Sequence, residues 1–79
     1  LAAKAKGLPL PAAVMTLSPW YDVEATAPSF ETNAKVDRLI SREMSLNMST
    51  LFLGGASPRD PLANPLHADF SGYPPLYIQ

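Results

Sequence analysis

The chain has no cysteine among its 79 residues. Disulfides are therefore excluded, and thiolate-held metals with them. It also lacks a basic stripe: six Lys and Arg are scattered against seven Asp and Glu, for a net charge of −1. With no cluster of cations to neutralise phosphates, nucleic acid is not an expected partner. No apolar run approaches the roughly 20 residues that a transmembrane helix needs. No internal repeat and no low-complexity tract is present. Leu1–Gly7 has neither the basic start nor the longer apolar core of a secretory signal, and a cytoplasmic location is the expectation.

What is present is proline, nine in all. Two prolines bracket the most informative stretch, Pro11-Ala12-Ala13-Val14-Met15-Thr16-Leu17-Ser18-Pro19-Trp20-Tyr21-Asp22. Its first half is a short apolar run, which predicts a strand at Ala13–Leu17 buried on both faces. Its second half turns polar and aromatic at Ser18-Pro19. In open α/β sheets ligands bind beyond the carboxyl ends of parallel strands, so any chemistry should gather between Ser18 and Asp22.

Upstream, Leu1–Lys6 has high helix propensity, and Gly7 stands where a helix commonly ends left-handed. Lys4 and Lys6 suit the negative end of that helix dipole. Leu8-Pro9-Leu10-Pro11 should be extended. Ser18 to Thr32 reads as loop. Beyond it, Val36, Ile40, Met44, Met48 and Phe52 recur every fourth residue, a helical apolar stripe. The reading is a short helix at Asn33–Ile40 and a longer one at Ser41–Leu53, with Ser41 as cap and Gly54-Gly55 as stop. Ala56–Pro65 is rich in turn formers, with Asp60-Pro61 as a rigid turn. Leu66–Phe70 fits one helical turn, and Leu76–Gln79 a second strand.

Two strands joined by a helical crossover tend to lie parallel. The order therefore describes one βαβ unit, and two strands alone would leave both sheet edges bare. A domain of about 80 residues is marginal without staples. Both ends also fall at or inside expected elements, whereas domain boundaries usually lie in polar linkers. The expectation is that residues 1–79 are an internal piece of a longer chain.

Ser18-Pro19-Trp20-Tyr21-Asp22, Asp60-Pro61-Leu62-Ala63-Asn64-Pro65-Leu66 and Gly72-Tyr73-Pro74-Pro75-Leu76-Tyr77-Ile78-Gln79 together resemble the hormone-sensitive-lipase-like branch of the α/β-hydrolases. The match is collinear over essentially the whole chain, with Asn64 where the family more often has Ser. The resemblance implies strands six and seven of a parallel α/β-hydrolase sheet with their helical crossover, one catalytic domain's internal fragment rather than a complete domain. It implies a parent serine carboxylesterase or lipase-like enzyme that cleaves short-chain acyl esters through an acyl-serine. The implied partners are a small-molecule ester and the remainder of the sheet. No metal or organic cofactor is implied. The Gly-x-Ser-x-Gly elbow and oxyanion loop would precede Leu1, and the triad acid and histidine would follow Gln79. No catalytic residue is then expected within the chain, which alone should be inactive.

Ser18, Asp60 and His67 do occur in the triad order of that fold. Ser18 lacks flanking glycines and is followed by Pro19, and His67 follows Asp60 too closely. The expectation is a loop histidine and a turn aspartate. Asp22 is expected to hold the strand's exit turn by accepting loop amides. Trp20 and Tyr21, with Met48 and Phe52 from the helix, are the candidate substrate-binding residues, although a lone Trp and a helical stripe are both ordinary core features. Asn47-Met48-Ser49 matches a glycosylation sequon but lies in an expected helix. The competing reading is a non-catalytic α/β interaction or structural module.

Overall fold

The computed structural model describes all of residues 1–79. The chain opens with a single Ala-rich turn of helix, α1 (Ala2–Ala5), which stops before Gly7 at φ 68°. An extended Pro-containing lead brings it to β1 (Val14–Thr16). A short helix α2 (Ser29–Thr32) and a long helix α3 (Arg42–Leu53) follow. A 3-10 turn at Pro65–His67 precedes β2 (Leu76–Ile78).

β1 and β2 pair in parallel, with Val14 opposite Leu76, Met15 opposite Tyr77 and Thr16 opposite Ile78. Hydrogen bonds extend the ladder beyond the pair: Val14 N–H donates to Pro75 O, Gln79 N–H to Thr16 O, and Ser18 N–H to Gln79 O at 2.7 Å. The expected strands and their parallel order are present, the first shorter by one residue at each end and the second by Gln79 alone.

The long helix forms as its signals require. Ser41 is extended at φ −104°, ψ 158°, and its hydroxyl accepts from Met44 N–H at 3.1 Å. Glu43 lies in the first turn, where the helix dipole favours an acid. Gly54 ends the helix at φ 54°, a conformation that costs an L side chain strain but glycine little.

The expected short helix at Asn33–Ile40 does not form. A helix sits just upstream instead, at Ser29–Thr32, entered from Pro28 at φ −57°. Residues 33–36 form a turn closed on the Asn33 carbonyl, and beyond it the chain bends because the Asp37 carboxylate accepts from the N–H groups of both Leu39 and Ile40, each at 2.9 Å. Such a side chain offers the backbone an alternative to the helical ladder.

The apolar stripe also faces the other way. The residues α3 buries are Ser45 and Ser49, while Met44, Met48, Leu51 and Phe52 are exposed. The two serines stand one turn apart and let the helix approach the loop after β1 closely. Burial elsewhere is equally sparse, confined to Val23, Ala25 and Asn64. Met15, Leu17 and Tyr77 are exposed, so the strands are not buried on both faces within these residues. The radius of gyration is 14.5 Å, against roughly 12 Å for a compact domain of this length. The body is a slab of 43 × 29 × 16 Å with broad apolar surface open on it.

Candidate functional site: the loop beyond the first strand

The chain leaves β1 through Ser18, at φ 47°, and turns into a loop that the Asp22 carboxylate organises. One carboxylate oxygen accepts from Glu24 N–H at 3.2 Å. The other accepts from Thr26 N–H at 2.7 Å, Ala27 N–H at 3.0 Å and the Thr26 hydroxyl at 3.1 Å. The Asp22 carbonyl accepts from the Trp20 indole N–H at 3.1 Å. Asp22 thus fixes the loop's curvature and the pitch of the tryptophan together, as the amide-gathering role required.

Two side chains of α3 hold this loop from the other side. Ser49 Oγ donates to Val23 O at 2.6 Å, and Arg42 Nε donates to Ala25 O at 3.1 Å. Arg42 also pairs with Glu31 Oε1 of α2 at 2.5 Å. Ala25 is fully buried at φ 52°, a region unfavourable to a residue with a Cβ. The surrounding bonds over-determine it.

Three of the four candidate binding residues come together. The Trp20 and Phe52 rings lie 6.3 Å apart at 45°, and Met48 precedes Phe52 by one turn on the same face of α3. Tyr21 faces elsewhere, into an apolar hollow of about 240 Å³ shared with Pro65, Leu66, Phe70 and the β2 residues Leu76 and Ile78.

The residues in triad order are not assembled. Asp60 Oδ1 accepts from Leu62 N–H at 2.9 Å, and its carbonyl accepts from Ala63 and Asn64 N–H, a turn that Pro61 stiffens. His67 Nε2 lies 2.7 Å from Glu24 Oε2. A carboxylate only accepts, so the shared proton sits on that nitrogen. The Ser18 hydroxyl has no hydrogen-bond partner, and its backbone N–H serves the sheet. No cluster of His, Asp and Glu is arranged to hold a metal.

Sequence reasoning missed Glu24. Its carboxylate is a junction for three residues of one distant segment: His67 at 2.7 Å, Arg59 Nε at 3.4 Å and Asn64 Nδ2 at 3.4 Å. The His67 hydrogen bond, against the opposing cost of desolvation and aided by Arg59, holds the Glu24 carboxyl below its usual range. Asn64 is fully buried, donates to Pro58 O at 2.9 Å and leaves its Oδ1 without a partner. The buried Ser45–Ser49 pair was also missed, although its i, i+4 spacing of small polar residues is a local signal that could have found it. The Glu24 contacts span 35 to 43 positions and carry no local signal.

A family model described as the alpha/beta hydrolase fold matches residues 1–79. An acetyl-hydrolase of Streptomyces hygroscopicus is 41% identical over 73 residues, covering 92% of this chain and 24% of the relative. An esterase of Acinetobacter venetianus strain RAG-1 is 31% identical over 71 residues, covering 89% of this chain and 23% of the relative. Among solved structures, an esterase from the bacterial hormone-sensitive lipase family superposes with a TM-score of 0.92 at 50% identity, over 99% of this chain and 26% of that one. A hormone-sensitive lipase from a metagenome library gives 0.88 at 38% identity, over 98% and 26%. The chain thus spans about a quarter of the length of the proteins it matches. These 79 residues, two parallel strands and their crossover, belong to the alpha/beta hydrolase fold family.

Proposed function

We propose that the chain is an internal portion of the catalytic domain of a serine carboxylesterase, and that it builds substrate-pocket wall rather than reactive groups. The observation that carries this reading is the 50% identity to an esterase over 99% of the chain. The paired Trp20 and Phe52 beyond the carboxyl end of β1 support it, because that edge is where α/β sheets bind ligands. In this reading Trp20, Met48 and Phe52 face the ester, and Tyr21 packs beneath Leu66. The nucleophilic serine, the base histidine, the acid and the oxyanion amides lie outside these residues. The reaction would be acyl transfer through a serine ester. The Streptomyces relative's name, acetyl-hydrolase, favours short acyl groups. The exposed strand faces and the open side of the slab would meet the rest of the hydrolase sheet. No helix here is long and apolar enough to cross a membrane. A cytoplasmic site of action belongs to the proposal and is checked by cell fractionation.

The test is hydrolysis of p-nitrophenyl acetate and butyrate by the full-length protein that carries this chain. Turnover abolished by phenylmethylsulfonyl fluoride and retained in Ser18→Ala is expected, with none from residues 1–79 alone. Absence of turnover in the full-length protein, or its loss in Ser18→Ala, would overturn the reading and favour a binding module or a different nucleophile.

A further inference from the structure

We propose that Glu24 is a positioning residue for the pocket wall: its carboxylate fixes the loop bearing Trp20 and Tyr21 against the segment 59–67. The inference rests on the esterase reading for its kinetic consequence only. Glu24 lies two residues from Asp22, whose carbonyl and carboxylate set the indole and the loop amides. Its own carboxylate receives His67 at 2.7 Å, Arg59 and Asn64 at 3.4 Å each. Tyr21 on one side and Leu66 on the other line the same 240 Å³ hollow, and Leu66 is the residue before His67. The Glu24–His67 bond therefore joins the two segments that carry these side chains.

The junction is made for alignment rather than for proton transfer. Arg59 and His67 are the charged or titratable groups that face Glu24. From α3 the neighbouring side chains are Leu46, Ser49, Thr50 and Leu53, none of them charged. Each of the three donors comes from a different point on the connection before β2, so the carboxylate is over-determined in direction. A single hydrogen bond would tether the loop but leave it free to swing. The short His67 bond is the tether, the longer contacts from Asn64 and Arg59 narrow the swing of the carboxylate, and an error of about 1 Å in a wall is enough to misplace a bound substrate.

The experiment uses the full-length protein with Glu24→Gln, His67→Phe and His67→Gln. Hydrogen–deuterium exchange reads residues 20–27 and 59–67, and short-chain ester kinetics read the pocket. Loss of one charge-assisted bond should speed exchange in both segments by about tenfold in Glu24→Gln and His67→Phe. In the same two variants KM should rise about three- to tenfold with kcat held within about twofold. His67→Gln keeps a donor on the same side and should restore both readouts. Unchanged exchange in Glu24→Gln would overturn the coupling. Faster exchange with unaltered KM, a matched fall in kcat, or no rescue by His67→Gln would overturn the positioning role. A wild-type protein without turnover would defeat the esterase reading, while the exchange measurement would still decide whether Glu24 joins the two segments.

Discussion

Ser49 Oγ donates to the carbonyl of Val23 at 2.6 Å, across 26 positions of sequence. Both residues are buried. Together with Arg42 Nε on the Ala25 carbonyl, this bond fastens the long helix to the loop that carries Trp20. Ser49→Ala removes the donor and leaves a buried carbonyl unpaired, a loss of about 1–3 kcal/mol. Denaturant unfolding of the full-length protein measures it. Ser49→Leu should be worse, because the side chain would enter the narrow space between α3 and the loop.

Asp22 is the loop's hub, and its chemistry resists even close replacement. Asp22→Ala frees three amides and should cost at least about 2 kcal/mol, given the strength of bonds to a carboxylate. Asp22→Asn should rescue only part, because its amide oxygen can take the position that receives two amides and a hydroxyl but its NH2 then faces the Glu24 N–H, donor against donor, and the charge is lost. Thermal unfolding gives the ranking, wild type above Asn above Ala.

The helix cap is an independent term. Ser41→Ala deletes the acceptor for Met44 N–H and should lower stability by about 1 kcal/mol, with Ser41→Asp close to neutral.

Three carboxyls sit below their ordinary values: Glu24 through His67, Asp37 through the Ile40 and Leu39 amides, and Asp69 through the Ser71 hydroxyl and amide. Each is depressed in the folded state, so its stabilisation is full above its unfolded value, 4.5 for Glu24 and 3.8 for the two aspartates. It is lost as the pH falls through the lower folded value. Stability should therefore drop below about pH 4.5, and Glu24→Gln, Asp37→Asn and Asp69→Asn should each flatten that acid limb. Equilibrium unfolding between pH 3 and pH 6 would show an unaltered slope if these pairings do not matter.

In the proposed pocket Trp20 and Phe52 limit the depth available to an acyl chain. Trp20→Ala or Phe52→Ala should raise octanoyl over acetyl ester kcat/KM by about tenfold, since each methylene in a pocket carries roughly 1–3 kcal/mol. Met48→Ala should move the ratio in the same direction by less. Competing-substrate assays on the full-length protein read the ratio directly.

The elements with strong local punctuation were legible in the sequence. Ser41 and Gly54 bracket α3 as their chemistry demands, and the proline-bounded apolar runs became β1 and β2 in the parallel order that a helical crossover implies. The amide-gathering role of Asp22 and the turn at Asp60-Pro61 followed from side-chain type. The segment 33–40 misled because Val36 and Ile40 continue the helical period while Asp37, between them, caps a turn. The facing of α3 misled because periodicity reports which residues share a side, not what that side meets. Trp20 and Tyr21 stand side by side in the sequence, but the indole meets Phe52 and the phenol enters the hollow with Leu66, a divergence that neighbouring positions do not announce. Glu24, joined to residues 35 to 43 positions away, was beyond any local pattern.

Ser49 holds the loop by its hydroxyl, and Phe52, three residues on, meets the same loop through Trp20, so one helix carries both the polar anchor and the aromatic contact. In the proposed pocket, a change at Met48 or Phe52 would alter the face offered to an acyl group while the Ser49 hydroxyl kept the helix fastened to the loop.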